Sequence, residues 1–329
     1  MPHPLTWFVE LPAAELAALV LRPEVLDPLA EIGACVAMAM LDLDPVRADV
    51  ARALTARGIG LTAWLILEPH HGYWLTADNA ELAAQRYDEV RAWILTEKLT
   101  FACIGLDIEM PHDDSAGLVL APLAALGRLV WNRRSREVLA LAVARYTALV
   151  DRIRGDGLEV ETYQFPFLHD ERQAGSGLLQ RALGVVDVQA DREVWMLYRS
   201  VLPPPWGELL VDAYGQHADA IAVGITGGGV AVLAPAFANR LLDLDGLLVD
   251  LRRARRYTDR LYVFSLEGCV EQGILAQVCA ADLTPAAPER HRLRHVPVLG
   301  RLLLRGLLRT HHALHRLRRK LRPASIASP

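Results

Sequence analysis

Eight short runs of apolar, β-branched and aromatic residues recur along the chain, each separated from the next by longer stretches of a different period. They are residues 5–11, 34–41, 60–68, 101–109, 159–165, 193–198, 220–226 and 260–267. Runs this short and this continuously apolar read as strands covered on both faces, the condition of a parallel sheet. Between them, 44–57, 78–98, 135–156 and 241–256 carry apolar residues three and four apart, the period of a helix. The first of these opens on Asp44 and closes on Arg57-Gly58, and the third closes on Gly155 and Gly157, as capped helices do. Strands alternating with helices build a parallel sheet with helices packed on it, and eight repeats close it. The sequence therefore predicts a single (β/α)8 TIM barrel. An open doubly wound sheet would want a glycine-rich turn after the first strand, and Leu11-Pro12-Ala13-Ala14 supplies none. With 329 residues, 52% of them hydrophobic, the chain suffices for one core of that size.

Barrels of this kind carry their chemistry at the carboxyl ends of the strands and in the loops that follow. Here those ends are acidic: Glu10, Asp42, Asp44, Glu68, Asp107, Glu109 and Glu267. Acids converging on one rim repel one another unless a cation or a shared proton sits among them. Asp107 and Glu109 are the sharpest pair. Two residues apart on a strand, they point to the same side, so one carboxyl is expected to hold its proton while the other stabilises charge. Cleavage of a glycosidic bond needs that pair of roles. Trp64, Tyr73 and Trp74 cluster around the third strand and offer faces for a sugar ring. Tyr163, Gln164 and Tyr198, at the ends of the fifth and sixth strands, offer hydrogen bonds to its hydroxyls or amide.

Charge is unevenly spread. From Thr284 onward there are eleven Lys or Arg and one acid, leaving 24 basic and 38 acidic residues before it, a body of −14 against a tail of +10. An acidic body excludes nucleic acid as the main partner. The tail, 284–329, separates from a barrel domain at 1–283. Within it, Arg301, Arg305, Arg309, His312, Arg316 and Lys320 fall on one helical face, and Leu299, Leu303, Leu307, Leu314, Leu317 and Leu321 on the other. Such a basic amphipathic helix suits an anionic membrane surface. The other reading has the leucines packed on the barrel, with the arginines facing solvent or pairing with acids; an acidic body and a basic tail could also join protomers. The start of the chain reads as a strand, with no secretory leader, so the expected location is the cytoplasm, peripheral to the inner face of the membrane if the tail binds it. Residues 220–239 are uncharged over a span-like length, but Gly227-Gly228-Gly229 and Pro235 interrupt them, and a strand, a turn and a short helix explain them better. The scattered cysteines, Cys35, Cys103, Cys269 and Cys279, read as buried reduced thiols.

The order Asp-x-Glu on the fourth strand, Met196-Leu197-Tyr198 on the sixth and Phe264-Ser265-Leu266-Glu267 on the eighth resembles the chitinase and endo-N-acetylglucosaminidase family of barrel glycosidases. That family carries D-G-x-D-x-D-x-E on strand four. The resemblance implies Glu109 as proton donor, Asp107 as the acid that orients the substrate's N-acetyl group for attack on the anomeric carbon, and Tyr198 as an aid to the acetamido oxygen. The signature's other positions differ here: its first Asp is Ala102, its Gly is Cys103, its middle Asp is Gly105, and the family's strand-eight tryptophan is Phe264.

The expected function is thus hydrolysis of a carbohydrate, N-acetylated if the resemblance holds, by Asp107, Glu109 and Tyr198, with Glu10, Trp64, Glu68, Tyr73, Trp74, Tyr163, Gln164 and Glu267 binding substrate and no metal or cofactor. Three rivals remain. A metal-dependent isomerase or endonuclease-type barrel would draw on His70, His71, Glu109, His112, His169 and Glu267, although adjacent His70 and His71 diverge on an extended backbone. A phosphate site would use the triple glycine after strand seven, which reads more simply as a tight turn. A non-catalytic carbohydrate-binding or scaffold barrel would keep Glu109 as a structural acid.

Overall fold

The computed structural model describes residues 4–111, 122–202, 204, 206–229, 240–284 and 296–321. Eight parallel strands close into a barrel in sequence order: β1 Leu5–Val9, β2 Cys35–Ala39, β3 Gly60–Leu65, β4 Cys103–Asp107, β5 Glu159–Gln164, β6 Arg192–Met196, β7 Ala220–Gly224 and β8 Leu261–Phe264. Closure is made by β8 beside β1, with Leu261, Tyr262 and Val263 opposite Leu5, Thr6 and Trp7. The helices placed between or after them include α1 Ala13–Val20, α2 Pro23–Glu31, α3 Pro45–Ala56, α4 Ala80–Thr96, α5 Pro122–Trp131, α6 Arg136–Gly155, α7 Phe167–Ala174, α8 Leu178–Leu183, α9 Leu210–Tyr214, α10 Leu244–Ala254, α11 Leu266–Glu271, α12 Leu275–Ala280 and α13 Val296–Leu321.

Each strand buries both faces, which is why no strand shows a clean polar alternation. Trp7, Val36, Met38, Ile104, Val160 and Val263 face the helices. Phe8, Ala37, Trp64, Tyr163, Val194 and Tyr262 fill the barrel itself. Phe8 and Tyr163 meet edge to face with ring centres 4.8 Å apart. Below them the interior is polar. Glu161, fully buried, accepts from the Tyr163 and Tyr262 hydroxyls at 2.8 and 2.7 Å and pairs with Arg192 at 3.0 Å. The barrel thus has a floor whose one buried carboxylate is matched by one guanidinium.

Several expectations are adjusted. The eighth strand ends at Phe264, because Ser265 turns the chain and caps α11 by accepting from Gly268 N at 3.1 Å. Asp42 and Asp44 do not enter the mouth. Asp42 pairs with the fully buried Arg47 at 2.9 Å and accepts from Ala13 N, and Asp44 caps α3 through Val46 N. Residues 220–224 are strand, and 230–239 lie outside the described residues; among the described residues no helix is long and apolar enough to cross a membrane. All four cysteines are free, with Cys35 exposed rather than buried.

The tail is a helix, docked opposite to the packed-leucine expectation. Its Arg301 and Arg305 reach the fully buried Asp170 of α7 at 3.1 and 2.7 Å, and Leu308 is buried beside them. The Arg301 guanidinium also lies over the Tyr214 ring of α9, 4.1 Å from its centre, and Tyr214 donates to Asp170 at 2.6 Å. Leu299, Leu303, Leu307, Leu314 and Leu317 face solvent.

Candidate active site

The carboxyl end of β4 is fixed by the chain that returns after β3. Leu75 bridges to Ile108: Leu75 N donates to Asp107 O at 3.2 Å and Glu109 N to Leu75 O at 2.9 Å. This clamp holds the backbone on both sides of the Asp107–Glu109 pair. Asp107 is buried, and Trp64 on the adjoining strand donates its indole N–H to Asp107 Oδ2 at 3.1 Å. Its other oxygen, Oδ1, has no hydrogen-bond partner among the described residues. Burial and the neighbouring Glu109 push Asp107 well above the usual carboxylate range. Glu109, partly buried, is pushed from 4.5 to about 7 by desolvation and by Glu10.

Two more acids complete the mouth. Glu10, at the end of β1, is driven from 4.5 to about 8 by burial, against the pull of the Tyr73 hydroxyl that donates to it, with Glu267 and Asp107 adding to the rise. Tyr73 reaches it from a left-handed backbone (φ 65°), a conformation a non-glycine residue holds only when its surroundings enforce it. Glu267 sits in the first turn of α11 rather than on a strand, yet it points back into the mouth and accepts from Glu10 N at 3.3 Å. Burial carries it from 4.5 to about 7, and its Oε2 has no partner among the described residues. The triple glycine wraps over these acids. A side chain at Gly228 (φ 72°) would overlap Glu267, and one at Gly229 would come within 3.3 Å of Glu10 Oε2. Glycine is there so that backbone can lie on carboxyls, which explains the motif better than a phosphate site, since acids repel phosphate.

Of the expected residues, the structure brings together Glu10, Asp107, Glu109, Glu267, Tyr73, Trp64 and Tyr198. The Tyr198 hydroxyl feels Asp107, Glu109 and Glu10 after burial, and all of these raise its pKa. Trp64 is buried among Phe8, Tyr163 and Phe264, so it orients Asp107 rather than offering an open face. Trp74 is also buried in that cluster. Tyr163 and Gln164, neighbours on one strand, point to opposite sides. Tyr163 goes inward to the floor and Gln164 to the helix layer, so neither stands at the mouth. Tyr163 also occupies the space above Gly105, where a side chain would overlap its hydroxyl. The position that the resemblance gives to a middle acid is thus Gly105, and Tyr163 fills the space above it.

Glu68 lies on the exposed loop after β3 with His70 and His71. One ligand atom from each falls within 4.8 Å of the others, and the two rings are 3.9 Å apart because a 3₁₀ turn, not an extended strand, carries them. The other histidine of the metal reading, His169, stacks on His217 at 4.1 Å. Burial, His217 and the arginines of α13 lower it to about 4. His112 lies outside the described residues. Among the described residues, Glu109 and Glu267 join no metal-ligating group. Sequence reasoning did not single out Gly228 and Gly229 as the cover of the acids, although their run was visible.

No protein-family model matches the chain, and no curated protein does. Solved structures share the fold. The PgaB (BpsB) glycoside hydrolase domain from Bordetella bronchiseptica superposes with TM-score 0.50 at 9% identity, covering 87% of this chain and 100% of that one. A chitinase from Chromobacterium violaceum gives 0.48 at 14% identity, covering 85% and 99%. A D-psicose 3-epimerase from Clostridium cellulolyticum gives 0.42 at 11%, covering 94% and 99%. At these identities the likeness is one of architecture, and function has to be argued from the site.

Proposed function

We propose that this barrel is a glycoside hydrolase that acts on a carbohydrate bearing an N-acetyl group. The observation that carries the reading is the pair at the end of β4: Glu109 pushed to about 7 beside Asp107, which is locked by Trp64 and has one oxygen without a partner among the described residues. An acid that still holds its proton near neutrality can give it to the glycosidic oxygen as the bond breaks. Asp107 is suited to hold the acetamido N–H while the acetamido oxygen attacks the anomeric carbon, and Tyr198 to donate its hydroxyl to that oxygen. Glu10 and Glu267, both pushed upward, are largely protonated in mildly acidic solution, so they can donate hydrogen bonds to sugar hydroxyls without crowding the pair with negative charge. Tyr73 holds Glu10, and Glu68 stands on the exposed loop for the more distant part of a saccharide.

The test is Glu109→Gln, close in shape to the native side chain. Turnover of a chito-oligosaccharide should fall about 10²–10⁴-fold, and an activated aryl glycoside, whose leaving group needs less protonation, should suffer less. Activity of the native protein should decline as pH rises through about 7, where Glu109 loses its proton. An unaltered rate in Glu109→Gln removes the acid assignment. Activity lost to a chelator and restored by a divalent metal transfers the protein to the metal-dependent class.

A further inference from the structure

We infer that α13 docks the protein on an anionic lipid surface, with its leucine face entering the lipid and its arginine face bound to the barrel. The inference is independent of the chemistry proposed for the mouth. At 100° per residue, Leu299, Leu302, Leu303, Leu307, Leu314 and Leu317 occupy an arc of about 140°. Each is more than half exposed, Leu303 and Leu307 about 70%. The opposite side of the helix is spent on the body: Arg301, Arg305 and Leu308 pack against α7 and α9, with Asp170 receiving both guanidinium groups. The leucine ridge therefore points directly away from the barrel. An amphipathic helix that turns its charges inward and its leucines outward has a contiguous apolar face that a protein in water does not otherwise keep open.

Charge selects the occupant. Between Val296 and Leu321 the helix has no Asp or Glu. Arg316, exposed, adjoins one edge of the leucine arc, where it would meet lipid headgroups as the leucines sink, beside the exposed Arg309, whose guanidinium also donates to Gln173 O of the barrel at 3.2 Å. Two copies of this helix placed face to face would set these cations against each other. An anionic bilayer accepts both halves of the surface: acyl chains for the leucines and phosphates for the flanking arginines.

The experiment uses the full chain and flotation with vesicles of 30% phosphatidylglycerol in phosphatidylcholine, against pure phosphatidylcholine. Binding is expected to the anionic vesicles, weakening steeply with salt. Leu303→Gln/Leu307→Gln, at two exposed positions that the fold does not use, should weaken it by roughly fifty-fold or more, and Arg316→Gln by about five-fold. Far-ultraviolet circular dichroism of the variants should match the native protein. Equal binding to neutral vesicles, no binding to anionic ones at low salt, or binding untouched by the leucine substitutions overturns the inference. So does a concentration-dependent dimer in sedimentation velocity that Leu303→Gln/Leu307→Gln abolishes, which would give the face to a second copy.

Discussion

Replacing Glu10 with glutamine should make the fold more stable, and by an amount that grows with pH. The native carboxyl is buried, with its value moved from 4.5 to about 8. In the unfolded chain it ionises near 4.5; in the fold it keeps its proton until about 8. Between those values the folded state binds more protons than the unfolded one, so stability falls as pH rises across that window. Three pH units at about 1.4 kcal/mol each, reduced at either end where one state is only partly titrated, come to about 3 kcal/mol between pH 5 and pH 8. Glutamine has the same shape, can still accept from the Tyr73 hydroxyl, and does not titrate. The comparison is urea unfolding of native protein and Glu10→Gln at both values. Near pH 5 the two should differ by less than about 1 kcal/mol, and near pH 8 the variant should lead by about 3. Groups that do not feel Glu10 titrate alike in both proteins and cancel in the difference, while Glu109, which Glu10 pushes upward, falls in the variant and widens the gap in the same direction. A gap that stays constant with pH, or that favours the native protein at pH 8, would falsify the claim that this carboxyl is held protonated by burial.

Two further substitutions probe other parts of the molecule. Asp170→Ala leaves Arg301 and Arg305 without their shared carboxylate, which should cost about 3–5 kcal/mol; limited proteolysis should then cut between the barrel and α13 much faster than in native protein. Gly228→Ala places a side chain on Glu267 from a left-handed backbone, and a loss of more than about 2 kcal/mol is expected by thermal unfolding, against little change for alanine at the helical, uncrowded Gly155.

The barrel was legible because its strands are apolar on both faces and end where turn residues begin, a signal carried by each run alone. The mouth was legible for Asp107 and Glu109 because a strand's period of two puts them on one side whatever the rest of the fold does. That same period, applied to Tyr163 and Gln164, already forbade both from facing substrate. Glu267 was placed on the right rim for the wrong element, since the capping hydroxyl of Ser265 looks like one more polar residue in a strand. The tail shows where a single chain's pattern stops. Spacing separated its arginines from its leucines, but which face meets the barrel was settled by one buried acid, Asp170, more than a hundred residues away in sequence. Tertiary charge pairing of that kind leaves no local trace.

The floor beneath the mouth has a consequence for how this sequence can drift. Glu161 is matched by Arg192, Tyr163 and Tyr262, so losing one member strands a buried charge or hydroxyl without its partner. Gly105 belongs to the same bargain, since it is small only to admit Tyr163. Replacement of the whole set by well-packed apolar residues is, by contrast, energetically open. These five positions should therefore pass through descent as one inherited block, kept together or exchanged together. The acids above them are joined more loosely, by mutual repulsion and by the Glu10 N–H that Glu267 accepts, rather than by a closed set of side-chain bonds.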